Sequence, residues 1–188
     1  LESNKDDRLV KSKLRYPGKI ATDLPGDRLF ISDSNNHRIV ITTLNGEFVD
    51  HVGGNGPKLI DGDYETCCFN RPQGLCFDAV RNAVFVADTE NHALRMIELT
   101  SKTVHTLAGN GYQGRDYKGG SKGKLQQLSS PWDVEVGPSV NHPYCIYPLV
   151  NNLAHLGIVC VCRHGWTTSD LGVQLLNPYH EGLQWKRI

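Results

Sequence analysis

The chain has 188 residues, 39% of them hydrophobic, and its 20 basic and 20 acidic residues cancel to a formal net charge of zero. That length holds one ordinary domain with room for a core. The charge balance gives no global pull toward nucleic acid or an anionic membrane.

Residues 1–14 read as a linker or upstream remnant. The chain starts at Leu1, its only methionine is Met96, and its charged opening LESNKDDRLVKSK has no apolar signal core. A fragment or processed product is the expectation. From Pro17 the pattern becomes regular. Strands are expected at 19–23, 28–32, 38–43 and 47–52. They are joined by Leu24-Pro25-Gly26-Asp27, by a polar corner running from Asp33 through Asn36 to His37, and by the hairpin pair Asn45-Gly46. A second copy follows at 74–77, 83–87, 94–99 and 103–107, with its corner at Asp88, Asn91 and His92. A third copy opens at Pro131-Trp132-Asp133-Val134-Glu135-Val136 and stops at Gly137-Pro138.

Asp33 and Asp88 stand 55 residues apart, as do Asn36 and Asn91, His37 and His92, Gly54 and Gly109, and Pro17 and Pro72. A fixed period of this size marks a repeat architecture. Four short antiparallel strands per repeat, unable to bury both faces alone, are the logic of a β-propeller blade. The expected fold is therefore all-β: a partial propeller over 15–138, with two four-stranded blades and the first strand of a third. Propellers typically close with about four to eight blades. An open stack of this kind leaves an unpaired edge and a bare blade face, so self-association is expected.

Strand polarity puts both corners at the same end of the blades as the loops 53–72 and 108–131. Loops on a rigid scaffold are where binding concentrates, and an unknown protein partner is expected on this face. Residues 139–188 read differently. They hold five of the chain's 40 charged residues and show no strand-turn-strand script. An irregular tail from alternative splicing or a gene model is expected there. Pro148, Asn151, Asn152, His155 and Gly157 interrupt its apolar stretch, short of the roughly 20 apolar residues a spanning helix needs. No membrane contact is expected.

Each corner carboxylate can accept backbone N–H groups and fix the turn, and Asn tolerates left-handed backbone. His37 and His92 could ligate a metal only with further ligands converging from other blades, and two blades do not supply them. They read as corner packing. The tail cluster His155, Cys160, Cys162 and His164 has one residue between its cysteines, tight for zinc. Neither metal nor cofactor is expected. The six cysteines show no disulfide framework, which points to a reducing, cytoplasmic setting. Cys67-Cys68 reads as loop or partial core. Arg115, Lys118, Lys122 and Lys124 form a basic run against Asp116, a possible RNA contact. Asp61, Asp63 and Glu65 in the first loop break that patch.

The copies resemble the NHL-repeat family, whose Asn-His-Leu signature falls at Asn36-His37 and Asn91-His92. The apolar strand into each Asp, the Gly-x-Gly, Asp61-Gly62, Phe69 and Pro72-Gln73-Gly74-Leu75 fit as well. The likeness covers roughly residues 14–138. It implies a propeller that serves as a non-enzymatic interaction scaffold. Other members of the family imply two alternatives: RNA binding on a basic face, and a metal-dependent peptidyl-hydroxyglycine lyase. One member carries a thioredoxin-like domain ahead of its propeller, and this chain has no C-x-x-C. No P-loop, zinc-protease motif or Ser/His/Asp order supports catalysis.

Overall fold

The computed structural model describes residues 13–115, 123–137, 158–163 and 171–175. Its first sheet is the meander β1 (Pro17–Asp23), β2 (Arg28–Asp33), β3 (Arg38–Thr42) and β4 (Phe48–Gly53), paired in that order and antiparallel throughout. After the two-residue β5 (Gly62–Asp63) comes a second meander of β6 (Pro72–Asp78), β7 (Ala83–Asp88), β8 (Ala93–Glu98) and β9 (Thr103–Ala108). Strand boundaries agree with the sequence expectation to within a residue or two, because alternating apolar residues and the glycine- or asparagine-bearing turns fix them locally.

Two features differ from expectation. The second sheet has five strands, because β5 pairs with the outer edge of β9. The tail also supplies two strands, β11 (Ile158–Arg163) and β12 (Leu171–Leu175), which join β10 (Asp133–Gly137) in a third sheet. The β10–β11 pairing is parallel, so this sheet is not a third copy of the meander. IVCVC and LGVQL carry strand-forming residues without the corner that marks a repeat, which is why a reading keyed to the period passes over them.

The sheets stack face to face. Phe30, Ile39, Ile41 and Val52 from the first meet Leu75, Val84, Val86, Ile97 and Val104 from the second in one buried cluster. The other face of the second sheet, with Phe85, Ala87 and Leu94, packs on Leu128 and Val134. Burying one such side chain is worth about 1.5–3 kcal/mol, and these two seams hold the stack together. Loop 53–72 is not a plain spacer: its Tyr64, Cys67 and Phe69 are buried in the first seam. Among the described residues no helix is long and apolar enough to cross a membrane.

Candidate interaction face at the blade corners

Each corner is a 3₁₀ turn, Ser34–Asn36 or Thr89–Asn91, closed by a histidine in left-handed backbone: φ 55° at His37 and φ 47° at His92. The aspartate ahead of each turn is fully buried. Asp33 accepts the Arg15 amide at 2.7 Å, the Asn36 side-chain amide at 2.8 Å and Arg38 Nε at 2.7 Å. Asp88 repeats the plan with the Asn70 amide at 2.7 Å, Asn91 Nδ2 at 2.8 Å and Arg95 Nη1 at 2.7 Å. Each carboxylate thus pins the residue that leads into the innermost strand of its own blade.

The two arginines are a part of the site that the period does not reveal. Arg38 follows its aspartate by five residues and Arg95 by seven, so they are not repeat-equivalent. Both are buried. Arg95 reaches furthest. Its guanidinium donates to the carbonyls of Cys68 at 2.9 Å and Ile60 at 2.8 Å, pairs with Asp61 at 3.0 Å, and lies 5.0 Å from the Phe69 ring centroid. It therefore clamps the first inter-blade loop to the second blade. Full burial pushes the Asp88 carboxyl up to about 6, against the pull of the neighbouring Arg95 charge.

The histidines face across the seams. His37 Nδ1 accepts the Arg71 amide at 3.2 Å, and His92 Nδ1 accepts the Ser130 amide at 3.0 Å. Arg71 and Ser130 are the residues before Pro72 and Pro131, the starts of the next inner strands, and both have positive φ. Ser34 Oγ donates to the Pro72 carbonyl at 2.5 Å and Thr89 Oγ1 to the Pro131 carbonyl at 2.8 Å. Burial, with the nearby Arg71 charge second, lowers the His37 pKa and keeps Nδ1 free to accept.

The basic loop is only partly placed. Arg115 is exposed, and Lys118 and Lys122 lie outside the described residues. Lys124 is drawn to Asp61 at 2.8 Å, so the acidic first loop takes up one of its four cations. Thr106 donates to the same carboxylate at 2.6 Å. Burial alone would raise the Asp61 pKa, but Lys124, Thr106 and Arg95 together outweigh it and hold the group near about 2. The tail cluster of His155, Cys160, Cys162 and His164 also falls outside the described side chains. Among the described residues no group of three His, Cys, Asp or Glu could hold a metal. Cys67, Cys68 and Cys76 are free thiols, and burial pushes Cys67 up to about 12.

The exposed described tyrosine and tryptophan side chains are concentrated at this end of the stack: Tyr16 is 78% exposed, Tyr112 77% and Trp132 57%. Tyr16 and Trp132 flank the prolines that open β1 and the third sheet, and Tyr112 stands just beyond β9. A cleft of about 120 Å³ between the inner strands is lined by Gly18, Lys19, Gln73, Gly74, Trp132 and Asp133, with Lys19 paired to Asp133 at 2.6 Å. It is small beside ligand pockets of about 300–1,000 Å³.

The NHL repeat model matches residues 14–41 and 69–95, which run from before β1 into β3 and from before β6 into β8. Over 135 residues the chain is 53% identical to Protein SUPPRESSOR OF QUENCHING 1, chloroplastic, of Arabidopsis thaliana. Over 133 residues it is 45% identical to human NHL repeat-containing protein 2. Each match covers 71% of this chain but only 13% and 18% of those relatives, so the chain spans less than a fifth of their length. Among solved structures, a Bacteroides thetaiotaomicron protein of unknown function superposes with a TM-score of 0.57 at 16% identity, covering 87% of this chain and 34% of its own. An auxiliary nutrient binding protein of Bacteroides ovatus does so with a TM-score of 0.50 at 19% identity, over 61% of this chain and 31% of its own. Those two likenesses speak for the fold alone. With two corners of one design, two seams of one design and these matches, the chain is an NHL-repeat chain of β-propeller type, one repeat in each of its first two sheets.

Proposed function

We propose that the two blades form a non-enzymatic protein-interaction scaffold, and that the corner end of the stack is the face that meets the partner. NHL repeats are commonly protein-interaction modules. The observation that supports this face is its share of exposed aromatic side chains, Tyr16, Tyr112 and Trp132, on loops held rigidly by the buried corners. Tyrosine and tryptophan are enriched among the residues that carry binding energy in interfaces. The corner residues themselves are consumed internally. Asp33, Asn36, Asp88 and Asn91 hold their own blades, and His37 and His92 hold the next. A reducing compartment such as the cytoplasm suits the free thiols.

The test is a quantitative cross-linking comparison in cell extract between the native chain, a Tyr112→Ala/Trp132→Ala double variant, and a Val80→Ala control at the opposite end. The reading requires a partner lost from the double variant and kept by the control. A salt-dependent RNA shift, abolished by charge reversal of Lys118, Lys122 and Lys124, would put RNA in the partner's place.

A further inference from the structure

The chain carries three Asn-Gly pairs, Asn45-Gly46, Asn55-Gly56 and Asn110-Gly111, and the asparagine of each is exposed. Such a pair can modify itself. The glycine nitrogen, with no β-carbon to crowd it, attacks the side-chain carbonyl carbon of the asparagine. The side-chain nitrogen takes up the displaced proton and leaves as ammonia. Water then opens the cyclic imide at either carbonyl, giving aspartate or isoaspartate. The step is fastest where the glycine nitrogen and the leaving amide are free and a donor polarises the side-chain carbonyl.

The fold grants these conditions unequally. In the β3–β4 hairpin the Gly46 amide donates to the Thr43 carbonyl at 3.0 Å, so the attacking nitrogen is occupied. Asn55 and Asn110 stand at one repeat position, 55 residues apart, yet they differ. Asn55 Nδ2 donates to the carbonyls of Glu65 at 2.6 Å and Cys67 at 3.3 Å, which ties down the leaving group. Two residues on stands Pro57, which has no N–H to turn back on the Asn55 side chain. The second copy has Tyr112 there, and its amide donates to Asn110 Oδ1 at 3.1 Å. That donor lies where negative charge develops during the attack. Among the described residues, neither Asn110 Nδ2 nor the Gly111 amide has a hydrogen-bond partner.

The segment around Asn110 also confines the change. The amides of Gly109 and Gly114 donate to the carbonyls of Gln126 and Leu128, both at 2.8 Å, so residues 110–113 form an arch pinned at its two ends.

We propose that Asn110 is a self-modification site, converting in the folded chain to aspartate and isoaspartate ahead of Asn45 and Asn55. The product puts a carboxylate next to exposed Tyr112, and the isoaspartyl form adds a methylene to the backbone of the arch. Charge and shape change at the corner end while the seams stay intact, whether or not that end meets a protein partner.

The test ages the full chain in mildly alkaline buffer made with heavy-oxygen water, which marks each conversion, and maps the three sites by peptide mass spectrometry. The same chain unfolded in guanidinium gives every site its own unfolded rate, by which the folded rate is divided. The normalised rate at Asn110 should exceed those at Asn45 and Asn55 by about fivefold or more, the effect of one hydrogen bond on a reacting group. Tyr112→Pro copies the Gly56-Pro57 step of the first loop, where Gly56 at φ 90° matches Gly111 at φ 88°. It should bring Asn110 down toward the Asn55 rate. Equal normalised rates at the three sites, or a faster Asn45 or Asn55, would overturn the proposal, as would an unchanged Asn110 rate in Tyr112→Pro. Asn110→Asp, which stands in for one product, should keep the thermal midpoint within a few degrees. A large fall would overturn the confinement of the change to the arch.

Discussion

The corner carboxylates are held by opposite means to most surface ion pairs. Asp88 and Arg95 have fully buried side chains, so neither charge has water to fall back on. Breaking such a pair leaves the surviving charge uncompensated and costs about 3–5 kcal/mol, whereas replacing both partners by apolar residues of similar size can be nearly neutral. Asp88→Ala is therefore expected to lower unfolding free energy by about that amount in urea titration. Asp88→Leu combined with Arg95→Met should recover more than half of it. A double variant as unstable as the single one would show that the loop carbonyls of Cys68 and Ile60, not the ion pair, depend on Arg95. Gly109 makes a second residue-scale case. It sits at φ 91°, and a β-carbon there would lie 2.2 Å from the His92 carbonyl oxygen. Gly109→Ala should cost more than about 1 kcal/mol by the same measurement, because backbone cannot step aside as a flexible side chain can.

At the scale of elements, loop 53–72 shows how a segment can look like a polar spacer and act as a wedge. Phe69 and Cys67 are fully buried in the seam, and Gly53 donates to the Tyr64 carbonyl at 2.9 Å while Tyr64 donates to Lys102 at 3.3 Å. Phe69→Ala should cost about 3–5 kcal/mol, as much as a strand residue would. The corners and strands of this chain were legible because they repeat: turn chemistry and alternation recur at 55 residues, so each copy vouches for the other. The wedge was legible only in part: Cys67-Cys68 reads as loop or partial core and Phe69 fits the repeat, but nothing in the sequence puts Tyr64 in the seam. Arg95 was not legible, because it reaches Asp88 from a position two residues away from the one Arg38 would suggest. Asp61 ties the first inter-blade loop to the second through Lys124 and to β9 through Thr106, and its pH behaviour tests that tie. Its folded pKa, near about 2, lies below the usual carboxylate value of about 3.9, so its contribution is fully present above about pH 4 and is lost as pH falls toward 2. The stability gap between the native chain and Asp61→Asn should be flat above about pH 4 and shrink below it. Partial exposure holds that gap to the order of 1 kcal/mol.

The whole molecule is a stack in which each sheet touches only its neighbours, so stability should vary with position along it. The second sheet is covered on both faces: its Val84, Val86, Phe85 and Leu94 are fully buried between the two clusters. The first sheet is covered on one, with Ile20 open on the other. Local opening draws on regions with few buried apolar contacts. Amide hydrogen exchange should therefore be slowest in β7 and β8, intermediate in β2 and β3, and fastest in β1, whose residues from Pro17 to Thr22 are all exposed or half-buried. The ordering follows from packing alone, because β1 and β6 have the same length, the same pairing partner type and the same bulge after their first proline. Equal protection in β1 and β6 would mean that the open face of the first sheet is covered in solution. A second copy seated on that face would produce such a result, and the protection would then fall on dilution. Protection that falls steadily from the second sheet to β1 instead follows the burial of the sheets, the second covered on two faces and the first on one.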